Sequence, residues 1–261
     1  VDGAAYANVR RFVMSDQLPY RDAVRIEELI NYFDYDYAKP KGNEPFSINL
    51  EYSECPWNEE HRLVHIGLQG KELSQEDRRP SNLVFLIDVS GSMRPENKLP
   101  LLKKAFKLLV GQLEGDDMVS IVVYASSTGM VLPPTPGSRK AEIIDAIERL
   151  ESGGSTAGGA GIQLAYRIAS ENFLKDGNNR VILATDGDFN VGISSTSELV
   201  DYIEGRRGEG IFLTVLGFGM GNYKDNRLEQ IADKGNGNHA YIDNIMEAKK
   251  VLVNEVTSTL Y

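Results

Sequence analysis

The sequence has little cysteine and no long apolar run. Cys55 is the only cysteine, so an internal disulfide and a cysteine zinc cage are excluded, and the redox compartment stays open. No run of about 18 apolar residues exists, and we therefore expect no transmembrane helix. The chain begins with Val1 and shows no signal-peptide pattern, so we expect that a leader was removed or that the chain is an excised fragment.

Basic residues are also in deficit. The 261 residues include 28 Lys and Arg against 38 Asp and Glu, which gives a formal net charge of −10. Nucleic-acid-binding proteins usually carry an excess of positive charge, so we expect no nucleic-acid partner. The acidic excess favours solubility and attracts cations, although it identifies no partner.

The first 80 residues mix one helical pattern with two alternating ones. In "RDAVRIEELINYF" the apolar residues fall at helical spacing, which predicts a short amphipathic helix. The stretches 46–57 and 61–73 alternate apolar and polar residues around the turn-like "CPWNEE", which predicts an antiparallel hairpin. A charged connector at 74–82 is the predicted boundary. We therefore divide the chain into an N-terminal α+β segment at 1–80 and a second domain at 81–261.

In the second domain, strand-like and helical stretches alternate along the sequence. Near-continuous apolar strands separated by helices indicate a mostly parallel sheet covered on both faces. The predicted fold is a doubly wound, Rossmann-like α/β domain with a small N-terminal α+β extension, and "TGMVLPP" predicts an extra edge strand. Strands are predicted at 83–87, 119–125, 180–185 and 211–218. Helices are predicted at 97–113, 138–150 (capped by Ser138, with Ala141, Ile144 and Ile147 on its apolar face), 158–171, 196–205, 224–233 and 244–259.

Polar oxygen-bearing residues follow the predicted strands. Asp88 ends the apolar run "LVFLI" and is followed by Ser90 and Ser92, while Asp186 follows "RVILAT". Thr156 lies at a helix start in "ESGGSTAGGAGI". Because ligands of open α/β sheets bind outside the carboxyl ends of the strands, we expect these residues at one edge. Ligation by oxygen alone suits Mg²⁺, with Mn²⁺ and Ca²⁺ as alternatives.

The order of these residues carries a family resemblance. D-x-S-x-S at Asp88, Ser90 and Ser92, followed by Thr156 and by Asp186 in "TDG", resembles the metal-ion-dependent adhesion site (MIDAS) of the von Willebrand factor type A (VWA) fold. The stretch "LPYRDAVRIEELINYFDYDY" is similar to the segment that precedes this fold in bacterial VWA lipoproteins. The resemblance implies that the two serines bind the metal directly. It also implies an extracytoplasmic or cell-envelope location.

The predicted function is binding without catalysis. Neutral hydroxyl ligands leave a divalent cation electron-poor, so an Asp or Glu of a partner protein can complete its shell. Two alternatives stay open: a Mg²⁺-dependent phosphohydrolase, because aspartates with Mg²⁺ also serve phosphoryl transfer, and a structural domain whose metal only ties loops together. Position 90 is serine rather than a second aspartate, and the sequence shows no evident phosphate-clamping lysine, which counts against the enzyme.

Other features favour simpler interpretations. His61 and His65 lie on a predicted strand, about 13 Å apart, so no zinc site is expected there. The glycine-rich "FGMGN" and "GGSTAGGAG" lack a nucleotide-binding pattern. Aromatic residues 31–37 are expected to pack on their own domain rather than form a binding patch. Asp188, beside the candidate site, is expected to cap a loop.

Overall fold

The computed structural model describes residues 3–71, 78–154, 159–187, 189, 196–219 and 225–254. The strands, in chain order, are β1 Phe46–Glu54, β2 Arg62–Gly70, β3 Ser81–Asp88, β4 Met118–Tyr124, β5 Thr128–Pro136, β6 Asn178–Thr185, β7 Ile211–Phe218 and β8 His239–Ile242. The α-helices are α1 Ala4–Met14, α2 Ile26–Asn31, α3 Leu99–Gln112, α4 Lys140–Glu148, α5 Gly159–Glu171, α6 Thr196–Gly208, α7 Asp225–Lys234 and α8 Ile245–Lys249. Among these helices, none is long and apolar enough to cross a bilayer.

The chain divides into two compact units. One combines Val1–Tyr32 with Arg79–Tyr261, and the other is Phe33–Arg78. The predicted boundary at residue 80 lies next to the start of the second stretch of the larger unit. The sequence-based division grouped the first 32 residues with the hairpin, whereas contacts in the structure group them with the α/β unit.

The larger unit is built on a six-stranded sheet of order β5-β4-β3-β6-β7-β8. All neighbouring strands are parallel except β4 and β5, which pair antiparallel at one edge. The predicted mostly parallel, doubly wound sheet and its edge strand are confirmed. The short strand β8 was not predicted, because its four residues are too few to show a strand-like sequence pattern.

Strand β3 is the centre of this sheet, and all eight of its residues are buried. Its side chains alternate between two hydrophobic cores, as strand geometry requires. Phe85 and Ile87 point into a core shared with α3, α4 and α8. Val84 and Leu86 point into a core shared with α5, α6 and α7. Helices on both faces hold β3 rigidly, and its carboxyl end at Asp88 is fixed with it.

The predicted helices occur, although some details differ. In α3, the apolar residues at three- and four-residue steps, among them Leu102, Phe106 and Leu109, are buried. Helix α4 begins one residue after Arg139, which offers no side-chain cap, so the cap predicted at Ser138 is wrong. Its face is rotated, since Ile143 and Ala146 are buried and Ala141 is exposed. The helix predicted at 244–259 is α8 followed by a π-helical turn at Lys250–Asn254, and residues from 255 lie outside the described part.

Helix α1, which sequence patterns did not reveal, explains why the first residues belong to the larger unit. Ala4 and Ala7 on α1 are buried with Tyr241 of β8. The guanidinium of Arg10 donates to Asp243 at 2.6 Å and to Glu247 at 2.9 Å. Small alanines let α1 approach β8 closely, and the ion pairs tie it to α8.

The smaller unit is the predicted hairpin with its aromatic loop. Strands β1 and β2 pair antiparallel, with Leu50 opposite Ile66. One face of the hairpin is covered by the loop that precedes it. The Tyr37 hydroxyl bonds Nε2 of His65 at 2.7 Å, and a Cβ at Gly67 would lie 2.4 Å from the Tyr37 ring.

Candidate metal centre

The two predicted aspartates lie at the same edge of the sheet. Strands β3 and β6 are parallel neighbours, with Ile87 opposite Ala184, so Asp88 and Asp186 both follow the carboxyl ends of adjacent strands. Asp88 is fully buried and Asp186 is 5% exposed. The Thr185 hydroxyl donates to Oδ2 of Asp88 at 3.3 Å. The two carboxylates are therefore linked through Thr185 at the central crevice of the fold.

The predicted serines lie directly beside Asp88. The chain leaves β3 and enters a 3₁₀ turn at Gly91–Met93. This turn lets the Ser90 amide donate to Oδ1 of Asp88 at 2.8 Å. It also brings the hydroxyl oxygens of Ser90 and Ser92 to 3.0 Å from each other. The structure thus gathers two hydroxyls and a buried carboxylate within five residues.

The negative charge of the buried carboxylates dominates the electrostatics of the site. Burial raises the pKa of Asp88, and the nearby charge of Asp186 adds to this, while hydrogen bonds from Ser90 and Thr185 oppose it. Burial, and then the charge of Asp88, also raises the pKa of Tyr124 well above its usual value. A bound cation would favour the charged form of both carboxylates, because opposite charges stabilise each other most where water is excluded.

Lys98 is a site residue that the sequence reasoning missed. Its Nζ donates to Oδ2 of Asp186 at 2.7 Å, and the side chain is largely buried. The lysine passes over Gly219, which has a positive φ of 92° and where a Cβ would lie 2.4 Å from Cε of Lys98. Glycine is needed there both for the backbone angle and for the space. A single lysine ten residues after Asp88 gives no recognisable sequence pattern.

The loop that carries the fifth predicted residue approaches the serine turn. The Gly91 amide donates to the carbonyl of Gly154 at 3.0 Å, and Gly153 donates to Val89 at 2.8 Å. Gly154 has a φ of +75°, and a Cβ there would lie 2.2 Å from the Ser126 hydroxyl. Thr156 itself lies outside the described residues, as do Asp188 and Asn190.

The donor set fits a hard divalent cation. Within the described part of the chain, no three His, Cys, Asp or Glu side chains cluster as a metal site. The candidate centre therefore depends on hydroxyls together with Asp88 and Asp186. Hard cations such as Mg²⁺ prefer oxygen ligands of this kind, and the Lys98 ammonium already shows that Asp186 accepts a cation.

Comparison with protein families identifies both parts of the chain. The model of the von Willebrand factor type A domain matches residues 82–255. A second model, described as von Willebrand factor, matches residues 1–65. The first match covers every strand of the six-stranded sheet.

Individual proteins agree with these matches. The uncharacterized protein YfbK of Escherichia coli K12 is 45% identical over 270 residues, covering 100% of this chain and 46% of that protein. BatB of Bacteroides thetaiotaomicron is 22% identical with a TM-score of 0.57, covering 68% of this chain and 98% of that one. Proximal thread matrix protein 1 of the mussel byssus, with a zinc-occupied MIDAS motif, is 24% identical with a TM-score of 0.54, covering 69% and 46%. These two structures establish the fold alone. The chain spans less than half the length of the first curated relatives.

Proposed function

Because this chain belongs to the von Willebrand factor type A domain family, we propose that it is a protein-interaction module whose metal centre receives an acidic residue of a partner protein. Ser90, Ser92 and Thr156 would hold Mg²⁺ together with Asp88 and Asp186. The observation that carries the proposal is the pair of serine hydroxyls, 3.0 Å apart, beside a buried carboxylate.

Different residues of the chain would fix the Asp88 carboxylate and bind the cation. The Ser90 amide and the Thr185 hydroxyl hold the two oxygens of Asp88 in place, so little conformational freedom is lost on binding. Neutral serine hydroxyls compensate less of the cation's charge than carboxylate ligands in the same positions would. A bound divalent cation would thus supply an open coordination position for a partner carboxylate. The zinc-occupied MIDAS motif of the mussel protein, on a similar fold, supports a metal at this edge.

Metal binding can be tested with the ions themselves. Mg²⁺ and Mn²⁺ are titrated into the protein, and both the heat of binding and the melting temperature are measured. We expect stabilisation of about 2.7 kcal/mol at one hundred times Kd, largely lost in Ser92→Ala. Ser170→Ala, an exposed hydroxyl on α5, is the matched control and should behave as wild type. Equal stabilisation of wild type and Ser92→Ala, or none in either, contradicts the proposed centre.

Partner binding is tested at the cell envelope, the location that the family resemblance implies. The protein is immobilised and exposed to envelope extract with Mg²⁺ and again with EDTA. We expect one or more proteins to be captured only with Mg²⁺, and to be lost with Ser92→Ala. A partner that binds equally in EDTA would favour the structural alternative, in which the metal only holds loops together.

Lys98 gives one specific observation in favour of a second function. A lysine bonded to an aspartate at a strand end is also what a Mg²⁺-dependent phosphohydrolase would use to bind a phosphate. The second aspartate expected of such a site is replaced by Ser90. Turnover of a generic phosphate ester, lost in Asp88→Asn and in Lys98→Met, would establish this activity instead. We expect no turnover above background.

A further inference from the structure

The hairpin unit, Phe33–Arg78, has its hydrophobic side uncovered. Side chains of β1 and β2 alternate between two faces, and the in-register pairing puts apolar residues of both strands on the same face. Each of these side chains is 51–70% exposed. We refer to them as the hydrophobic hairpin face, which consists of Phe46, Ile48, Leu50, Tyr52, Val64, Ile66 and Leu68.

The opposite face of the hairpin is mostly polar, and the loop before the hairpin partly covers it. Tyr37 lies on Gly67 and bonds His65. The side chains of Ser47 and Asn49 both bond the backbone of Ala38, Asn49 accepting from its amide at 3.2 Å. Covering part of a polar face while an apolar one stays exposed reverses the usual arrangement of a half-buried sheet. The fold of this unit is therefore arranged so that the hydrophobic hairpin face is available to another surface.

A two-stranded hairpin is marginally stable in water and normally packs against another layer. The hydrophobic hairpin face carries no charge except at its end, where Glu54 is opposite Arg62. Such a surface offers nothing to a nucleic acid or an acidic peptide. It suits a second apolar β-sheet, packed about 10 Å away as in a β-sandwich.

A second sheet in the same polypeptide can cover this face more readily than a separate protein can, because the tether raises the effective concentration of the second sheet.

The length of the relatives points in the same direction. The E. coli protein matches this whole chain, hairpin included, with 46% of its own length. We propose that the hydrophobic hairpin face packs against a second β-sheet supplied by the same polypeptide, from the portion that relatives of this length carry outside the matched region. The two sheets form a sandwich, whether or not the candidate metal centre holds a cation.

The test compares residues 1–261 with the longest natural polypeptide that contains them. Amide hydrogen exchange is measured in β1 and β2 of each protein. We expect exchange at least about tenfold slower in the longer polypeptide, because packing suppresses local opening. A hydrophobic dye should bind residues 1–261 and not the longer polypeptide.

A pair of variants separates packing on this face from a general effect. Leu50→Lys and Ser53→Lys place the same charge three residues apart in β1 and on opposite faces of the strand. In the longer polypeptide we expect Leu50→Lys to lower the melting temperature by several degrees and Ser53→Lys to leave it nearly unchanged. In residues 1–261 both should be nearly neutral, since the side chains at both positions are exposed there. If Leu50→Lys does not fold in the longer polypeptide, amide hydrogen exchange in the two unsubstituted proteins still tests the proposal.

Four outcomes would overturn the proposal. The first is equal exchange in the two proteins, and the second is a gene that encodes no residues outside 1–261. The third is a concentration-dependent dimer of residues 1–261 that Leu50→Lys abolishes, which would identify a second copy as the occupant. The fourth is binding of residues 1–261 to neutral phosphatidylcholine vesicles, lost in Leu50→Lys, which would identify a membrane surface.

Discussion

At the scale of single residues, the charge around Asp186 is the feature that most affects metal binding. Asp186 is nearly buried and already bonds the Lys98 ammonium. A positive charge within a few ångströms of the candidate centre repels a divalent cation, and it also competes for the same carboxylate oxygen. We therefore expect Lys98 to lower the affinity of the candidate centre for metal, while it stabilises the Asp186 carboxylate without metal.

This gives the prediction for Lys98→Met, which keeps the length and apolar stem of the side chain. We expect the variant to bind Mn²⁺ at least about tenfold more tightly, which corresponds to about 1.4 kcal/mol. In EDTA it should melt at a lower temperature than wild type, because Asp186 then has no cation. Lys104→Met, an exposed position on α3, is the control. Unchanged or weaker Mn²⁺ binding in Lys98→Met would show that the lysine does not compete.

Four of the five residues predicted for the metal centre lie near one another, as the sequence led us to expect. The position of Lys98 beside Asp186 could not be predicted from the sequence. Asp88, Ser90, Ser92 and Asp186 are identified by their position at strand ends, which depends on local periodicity. Lys98 reaches Asp186 because the backbone at Gly219 leaves room for it. Such a contact depends on two loops that are 121 residues apart, and no short pattern encodes it. Whether the four residues bind metal stays a prediction.

At the scale of elements, close backbone packing limits the turn between α7 and β8. A Cβ at Gly237 would lie 1.8 Å from the carbonyl oxygen of Leu213 in β7. The backbone at Gly237 therefore cannot accept a side chain without moving away from the sheet. In contrast, nothing lies within 4 Å of a Cβ at Gly205 in α6.

We therefore expect Gly237→Ala and Gly205→Ala to change stability in opposite directions. Gly237→Ala should lower the free energy of unfolding by about 3 kcal/mol or more, as overpacked sites do. Gly205→Ala should raise it by about 0.5–1 kcal/mol, because alanine restricts the unfolded chain and favours the helix. Urea unfolding of both variants measures the difference. A loss in Gly237→Ala no larger than 0.5 kcal/mol would contradict the geometry.

The elements themselves were predictable where their periodicity is strong. The four long strands of the parallel sheet and helix α3 follow directly from apolar runs and three- and four-residue steps. Helix α1 was missed because its buried residues are three alanines and Asn8, which give little hydrophobic contrast. The face of α4 was misassigned because Ile143 and Ile144 are adjacent, and either could point inward from sequence alone.

At the scale of the whole molecule, the N-terminal residues complete the α/β unit. Burial alone would lower the pKa of Arg10, but hydrogen bonds to Asp243 and Glu247 raise it above its usual value. Asp243 and Glu247 are 12% and 5% exposed in their side chains. Without Arg10 these two carboxylates would remain largely buried and close together with no cation, which is a costly arrangement.

The last prediction follows from this dependence. Arg10→Met should lower the free energy of unfolding by about 1–3 kcal/mol, less than for a fully buried pair because Arg10 is partly exposed. Residues 79–261 alone should lose more, because Tyr241 also loses the cover of α1.

In that fragment, Glu247→Gln should recover part of the loss by removing one uncompensated charge. In the whole chain the same substitution should destabilise, since it weakens the bond to Arg10. Urea unfolding measures how Glu247→Gln changes the free energy of unfolding in each background. We expect the two changes to have opposite signs. The same sign in both would show that α1 does not supply the charge balance of this end of the domain.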